Sequence, residues 1–424
     1  EPVLTADVLR AWERRYGLPC PQRGPGGHRL YSQHDIEILK WLQARREEGL
    51  SIGRAVSFWK ELIQTGKDPF LESAAQSMAP GEDSPQTGQT NIALLRERWI
   101  DACLAFNEYR AEEILSEAFA LYSVEVVSTS ILQAALAEIG EKWYRGEASV
   151  QQEHFASALV IQRINTLIAS LPYPNNGQTV LLGCPPHEYH SIPILFLNLF
   201  LRRKGLRVIY LGANVMLDQF TETAETVRPQ LIILASQHLA TAASLQAVAS
   251  ELQQHNFPVA YGGLIFNRIP RLRERIPAFF LGENLADAVD PVQRLVHLDQ
   301  PYPNKIVTPA SYQDLAETYR KVIPLIDAAF TEILKAVPVT FSDNLERVNV
   351  YFSNELSAAL ALGDLNFLET EIQWVKGLLG GHVVSDDQLH SYLAVYSRAI
   401  ASVLGDAGGP ITEWIESYLA QHKN

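Results

Sequence analysis

Between Thr179 and Gly282 the chain alternates short, almost wholly apolar runs with segments long enough for a helix. No other feature constrains the fold as strongly. The runs are Val180-Leu-Leu-Gly, Val208-Ile-Tyr-Leu-Gly, Leu231-Ile-Ile-Leu-Ala, Val259-Ala-Tyr-Gly-Gly and Phe279-Phe-Leu-Gly. A strand with no polar face is buried on both sides, as strands are in a parallel sheet covered by crossover helices. Ligands of such sheets bind beyond the carboxyl ends of the strands. His190, Ser236 and Gly262-Gly263 stand at those ends.

The first strand runs into the loop Gly183-Cys-Pro-Pro-His-Glu-Tyr-His-Ser-Ile-Pro193. Imidazole is a good axial ligand for cobalt or iron, and a carboxylate on its distal nitrogen fixes the tautomer and raises its basicity. Glu188-Tyr-His190 offers that pair on a loop that could ligate a large planar metal cofactor. Ser236 at a second strand end and Gly262-Gly263 at a third supply small side chains and a hydroxyl for a slot beside it. Upstream, Trp143 and Glu153-His154 fall in the last two helices of a segment, Ile92 to Leu171, whose apolar residues repeat at three- and four-residue spacing. That spacing predicts a small helical bundle.

The outer regions read differently. Residues 1–70 hold a helix ending at Gly17, a glycine-rich turn from Arg23 to Ser32, and further helices to about Thr65. Because Leu9, Trp12 and Tyr16 already repeat at helical spacing, the chain is expected to begin inside a helix, with an earlier start missing. Residues 71–91, rich in Pro, Gly, Ser, Gln and Thr, and 299–313, with Pro301, Pro303 and Pro309, are expected to be linkers. The remaining stretches are a bundle over 92–173, a Rossmann-like domain over 174–298 and an all-helical domain over 314–424.

A chain of 424 residues suits several domains. Three cysteines without ligand or redox spacing point to a reducing compartment, and no signal peptide or bilayer-spanning run is visible, so the cytoplasm is the expected location. The net charge of −13 excludes a nucleic-acid surface over the whole molecule, yet residues 10–46 carry eight Lys or Arg against three Asp or Glu. Arg10, Arg14 and Arg15 on a helix, beside a turn carrying Arg23, His28, Arg29 and Tyr31, suit a duplex, with the helix in the major groove and the turn on phosphates.

The residues LRAWERRYGLP, GGHRLYSQHDI and GLSIGRAV resemble the winged helix-turn-helix of the MerR family. The resemblance implies base reading by the first helix, backbone contact by the wing, and a homo-oligomer, dimer or tetramer, on operator DNA. The region 92–298, with its His loop, Ser236 and Gly262-Gly263 after successive strands, resembles the cobalamin-binding module of methionine synthase, corrinoid proteins and CarH-type light-sensing repressors. Together these resemble the CarH and LitR photoreceptors, non-enzymatic transcriptional regulators. By that resemblance His190 is the lower axial ligand of adenosylcobalamin, with Glu188 behind it. Trp143, Glu153 and His154 enclose the adenosyl group, and light breaks the cobalt–carbon bond to change oligomeric state and DNA affinity.

Two departures stand out: Tyr144 occupies the place of a histidine that could ligate the upper cobalt face, and Pro193 that of a glycine after the His loop. The helical C-terminal domain reads as an oligomerisation or sensor bundle. It is also compatible with the bilin-binding photocobilins, a bilin such as biliverdin then meeting His382 and His390. Two further readings stay open: a light-independent cobalamin-sensing or antirepressor-controlled regulator, and a methyl-carrying corrinoid enzyme subunit, for which a DNA-binding head has no use.

Overall fold

The computed structural model describes residues 6–19, 22–23, 29–47, 52–53, 55–56, 59–60, 85–174, 177–297, 307–337, 345–372 and 386–422. The chain divides into two compact units, Glu1–Ala135 and Leu136–Asn424.

The first unit begins with α1 (Ala6–Tyr16), which stops at Gly17, a residue with φ +74°. A left-handed C-terminal position of this kind favours glycine. A two-residue antiparallel wing follows, β1 (Gln22–Arg23) against β2 (Arg29–Leu30). In α2 (Gln33–Glu47), Ser32 and Asp35 bond reciprocally: Asp35 N–H donates to Ser32 Oγ, and Ser32 N–H and Oγ donate to the Asp35 carboxylate. That is a capping box with aspartate in the glutamate position. Trp12, Ile38, Trp41, Leu42, Ala55, Val56 and Trp59 form the core of this head. Next come α3 (Pro85–Leu104) and α4 (Glu108–Leu121), the latter capped by Asn107 Oδ1. A short turn, Val124–Val126, leads into a π-helix, Val127–Gln133. Helix α3 starts inside the stretch expected to be linker; a proline in the first turn costs little because its missing N–H has no intrahelical acceptor.

Helix α5 (Ala134–Tyr144) carries the chain into the second unit, where α6 (Val150–Ala169) starts at a Ser149/Gln152 capping box. The sheet then forms from β3 (Thr179–Gly183), β4 (Arg207–Gly212), β5 (Leu231–Ala235), β6 (Val259–Gly262) and β7 (Phe279–Phe280). All pairs are parallel, in the order β4-β3-β5-β6-β7. The crossovers are α7 (Ile192–Arg203), α8 (Leu217–Val227), α9 (Leu239–Gln254) and α10 (Leu264–Arg268), with α11 (Val289–Leu295) after β7. Strand order reverses between β3 and β5, and the crevice at such a switch point is where doubly wound sheets bind ligands.

The C-terminal region contributes α12 (Ala310–Leu334), α13 (Leu345–Leu362), α14 (Asp386–Leu404) and α15 (Gly409–Gln421). Helix α12 starts within the second stretch expected to be linker, directly after Pro309. Helix α13 packs on α9, and one continuous apolar core runs from Leu181 and Ile232 in the sheet through Leu245 and Val248 of α9 to Phe352, Leu356 and Tyr396.

Candidate cofactor-binding site

The His loop is built by the strand before it and the loop beside it. Gly183 closes β3 because a Cβ there would meet the Phe220 ring at 2.7 Å. Cys184 N–H donates to Gly212 O, Val215 N–H to Cys184 O, and Asn214 N–H to Glu188 O at 2.9–3.0 Å, pinning the loop to the one after β4. His187, at φ +68°, donates its N–H to Asn214 Oδ1 at 2.7 Å. Burial pushes the Cys184 thiol up to about 12, so it is no nucleophile.

Glu188 is fully buried, and both its oxygens are engaged. Oε1 lies 2.9 Å from His190 N–H and 2.8 Å from His190 Nδ1; Oε2 lies 2.7 Å from both Gln237 N–H and Thr241 Oγ1. Burial alone would raise its pKa; the bonds from His190, Thr241 and Gln237 outweigh it and hold the carboxylate at about 2. An ionised Glu188 requires Nδ1 of His190 to carry the proton, which leaves the lone pair of the neutral ring on Nε2. The His190 side chain is 61% exposed, with its ring edge-on to His238 at 4.9 Å. Glu188 raises the His190 pKa, burial opposes it, and the charge of Glu153 adds to the rise. Burial and the neighbouring His190 lower that of His238.

The other strand ends complete the edge. At Gly263, φ is +130° and a Cβ would fall 1.8 Å from the carbonyl oxygen of Ser236, so no larger residue fits. At Gly262 a Cβ would meet nothing within 4 Å. Ser236 is buried and donates its hydroxyl to Thr241 O at 2.9 Å, so that group is used within the fold. Gln237 accepts from Leu264 N–H at 3.1 Å, while its buried Nε2 has no partner among the described residues. Tyr189, Met216 and Leu264 leave large apolar side chains exposed on these same loops. An exposed imidazole lone pair, an orphaned amide donor, an open glycine and apolar rims fit a cofactor that offers a metal, polar side groups and a broad apolar face. Among the described residues no group of three or more His, Cys, Asp or Glu could hold a free metal ion. The exposed Nε2 of His190 could serve as one protein ligand to a metal already held by a macrocycle.

Trp143 is half-buried in the last turn of α5. Glu153, in the first turn of α6, accepts from Ser157 Oγ at 2.7 Å and lies 2.8 Å from Nδ1 of His154, whose side chain is 73% exposed. The charge of Glu153 acts on His190, so these two expected site residues lie within electrostatic reach of each other.

In the head, Arg14 and Arg15 are exposed on the last turn of α1, and Tyr31 is half-buried. Arg29 is engaged inside the head: its Nε donates to Glu13 Oε2 at 2.6 Å, tying the wing to α1. Arg10 lies in α1 and Arg23 in β1. His28 and His382 lie outside the described residues, and His390 is half-buried in α14. Sequence reasoning missed Gln237 and Thr241. The only signal available for them was their position just after a strand end.

Family models described as B12 binding domain match residues 95–168 and 178–289, and one described as MerR HTH family regulatory protein matches residues 4–58. The chain is 28% identical over 284 residues to the HTH-type transcriptional repressor CarH of Myxococcus xanthus, covering 66% of this chain and 92% of that protein. It is 30% identical over 289 residues to the HTH-type transcriptional repressor CarA of the same organism, covering 66% of this chain and 88% of that protein. Among solved structures it is similar to the Methanosarcina barkeri monomethylamine corrinoid protein, at 16% identity and a TM-score of 0.40, over 47% of this chain and 96% of that one.

Proposed function

The chain belongs to the MerR-type, cobalamin-binding family of transcriptional repressors, and from that premise we propose that it is a light-responsive repressor whose signal-receiving cofactor is adenosylcobalamin. The observation that carries this reading is the Glu188–His190 pair: a buried, ionised carboxylate holds an exposed imidazole so that Nε2 faces outward at the switch point of the sheet. Bound adenosylcobalamin supplies a cobalt–carbon bond that light breaks. His190 would hold the metal through Nε2. Gln237 Nε2 and the Gly262-Gly263 edge would line a slot for the cofactor's nucleotide tail. Trp143, Glu153 and His154 cover the adenosyl side, and Tyr144 cannot replace a histidine there as a neutral nitrogen ligand. Arg10, Arg14, Arg15, Arg23, His28 and Tyr31 are the residues assigned to operator DNA, in the cytoplasm, with Arg29 bracing the wing, and the repressing species is a dimer or tetramer. Switching requires a ligand with different free energies in two states, and the adenosyl group is that difference.

The test is to load the full chain with adenosylcobalamin in darkness, select its DNA site from a random pool, and follow absorbance, mass and DNA binding before and after illumination. The expected result is a spectral change accompanied by altered assembly and weakened DNA binding. A spectral change with unaltered binding would favour a light-independent cobalamin sensor, and transfer of a methyl group from methylcobalamin to a thiol acceptor would favour a corrinoid enzyme subunit.

We further infer that the C-terminal helices take a second chromophore of the bilin class, such as biliverdin, with His382 and His390 as polar contacts. Supporting this, the Tyr392 hydroxyl and Asp327 Oδ1 are buried there without partners among the described residues, and burial raises the Asp327 carboxyl above its usual range. Co-expression with a bilin source should give protein with a long-wavelength band that extraction assigns to bilin; colourless apoprotein would refute it.

A further inference from the structure

The C-terminal helices reach back to the site through three carboxylates. Glu355, in the body of α13 and 2% exposed, accepts a hydrogen bond from the backbone N–H of Ala240 at 3.0 Å. Ala240 lies in the first turn of α9, where N–H groups have no intrahelical acceptor. Its near neighbours Gln237, through N–H, and Thr241, through Oγ1, both donate to Glu188 at 2.7 Å. One helix N-terminus is therefore gripped by the ligand loop through Glu188 and by the helical region through Glu355.

A second grip falls on the next crossover. Glu371, 1% exposed, accepts from the Tyr351 hydroxyl and stands 3.9 Å from Nη1 of Arg268, at the end of the helix that follows Gly262-Gly263. Asp364 pairs with Arg271 at 3.3 Å, just beyond it. Both segments that border the proposed tail slot are thus tied to the same set of C-terminal helices. Polar groups of this kind are rarely buried without a partner. Glu355 finds its hydrogen-bond partner in the opposite layer, and Glu371 faces the opposite layer's Arg268 while Tyr351 of its own layer donates to it.

Resting on the reading of His190 as an axial ligand, we propose that Glu355 is a positioning residue for it, coupling the C-terminal helices to the lower face of the cofactor through Ala240, Thr241 and Glu188. Such coupling is reciprocal: a change in the helical region alters how well His190 ligates, and ligation alters the helical region by the same factor. Any signal received by the C-terminal helices would therefore be read at the metal. Burial, then the charge of Glu371, pushes the Glu355 carboxyl up to about 8, so near neutrality it is mostly the neutral acid and glutamine copies its accepting oxygen.

The experiment compares full-length Glu355→Leu, Glu355→Gln and His190→Ala, each titrated with adenosylcobalamin in darkness and followed by absorbance. Glu355→Leu should bind about tenfold more weakly and show an increased band of cobalamin lacking an axial nitrogen, since one hydrogen bond to an otherwise orphaned donor is worth about a factor of ten. Glu355→Gln should restore the native spectrum. If Glu355→Leu does not fold, Ala240→Pro removes the same bond from the donor side and carries the same expectation. A spectrum and affinity matching the native protein in Glu355→Leu, or in Ala240→Pro where it replaces it, overturns the coupling while leaving His190 as ligand. A native spectrum in His190→Ala overturns the ligand reading itself.

Discussion

Glu188 concentrates opposing demands on one carboxylate: complete burial favours the neutral acid, and hydrogen bonds from His190, Gln237 and Thr241 favour the ion and win. A folded pKa of about 2 against an ordinary 4.5 means that this group contributes stability above pH 4.5 and loses it as pH falls toward 2. The amount is on the order of 3 kcal/mol. Denaturant unfolding of the cofactor-free protein should show that decline, and Glu188→Gln should be less stable at neutral pH with a flatter acid limb. Gly263 makes a second demand at single-residue scale. With 1.8 Å between its would-be Cβ and Ser236 O, Gly263→Ala must move β6 from β5, so a lowered melting temperature and poor cobalamin retention are expected. An alanine variant with native melting and binding would contradict so close an approach of the two backbones.

Elements differ in how far the sequence exposes them. The five sheet strands were legible because each is an unbroken apolar run, and the Glu188–His190 pair because its members are two residues apart. The other two donors to Glu188 were not legible: Gln237 is 49 residues away and Thr241 is 53, brought in by a strand order that no local pattern encodes. The starts of α3 and α12 were hidden for another reason, since proline-rich composition reads as linker although proline is compatible with a helix's first turn. Arg29 shows a limit of charge counting, because a cation next to a carboxylate of its own head is partly neutralised before DNA arrives. Arg14 and Arg15 are exposed on α1. The pair Arg14→Ala, Arg15→Ala should weaken DNA binding and reduce its salt dependence by about 0.9 logarithmic units for each phosphate that is no longer neutralised. An unchanged salt slope would remove these two from the phosphate-facing surface.

Across the whole second unit, the sheet and the C-terminal helices share one apolar core, and buried carboxylates of the helices hold the segments around the ligand loop. This arrangement has a pH signature opposite to that of Glu188. With Glu355 raised to about 8 from an ordinary 4.5, the stability this one group contributes is fully present below pH 4.5, falls as pH rises through that window and is gone above about 8. Glu355→Gln should remove that fall, measured as the unfolding midpoint against pH; persistence of the full slope would locate it elsewhere. The sequence exposed the helical character of this region but not its attachment, since Glu355 meets Ala240 across 115 residues. Everything proposed for the cofactor depends on His190 providing the nitrogen that ligates cobalt. The direct measurement is electron paramagnetic resonance of the protein reconstituted with unlabelled cobalamin, reduced to cobalt(II), with and without nitrogen-15 histidine. With His190 as donor, the axial-nitrogen splitting changes pattern with the label and disappears in His190→Ala, whereas a splitting indifferent to both would assign the axial nitrogen to the cofactor's own base and contradict ligation by His190.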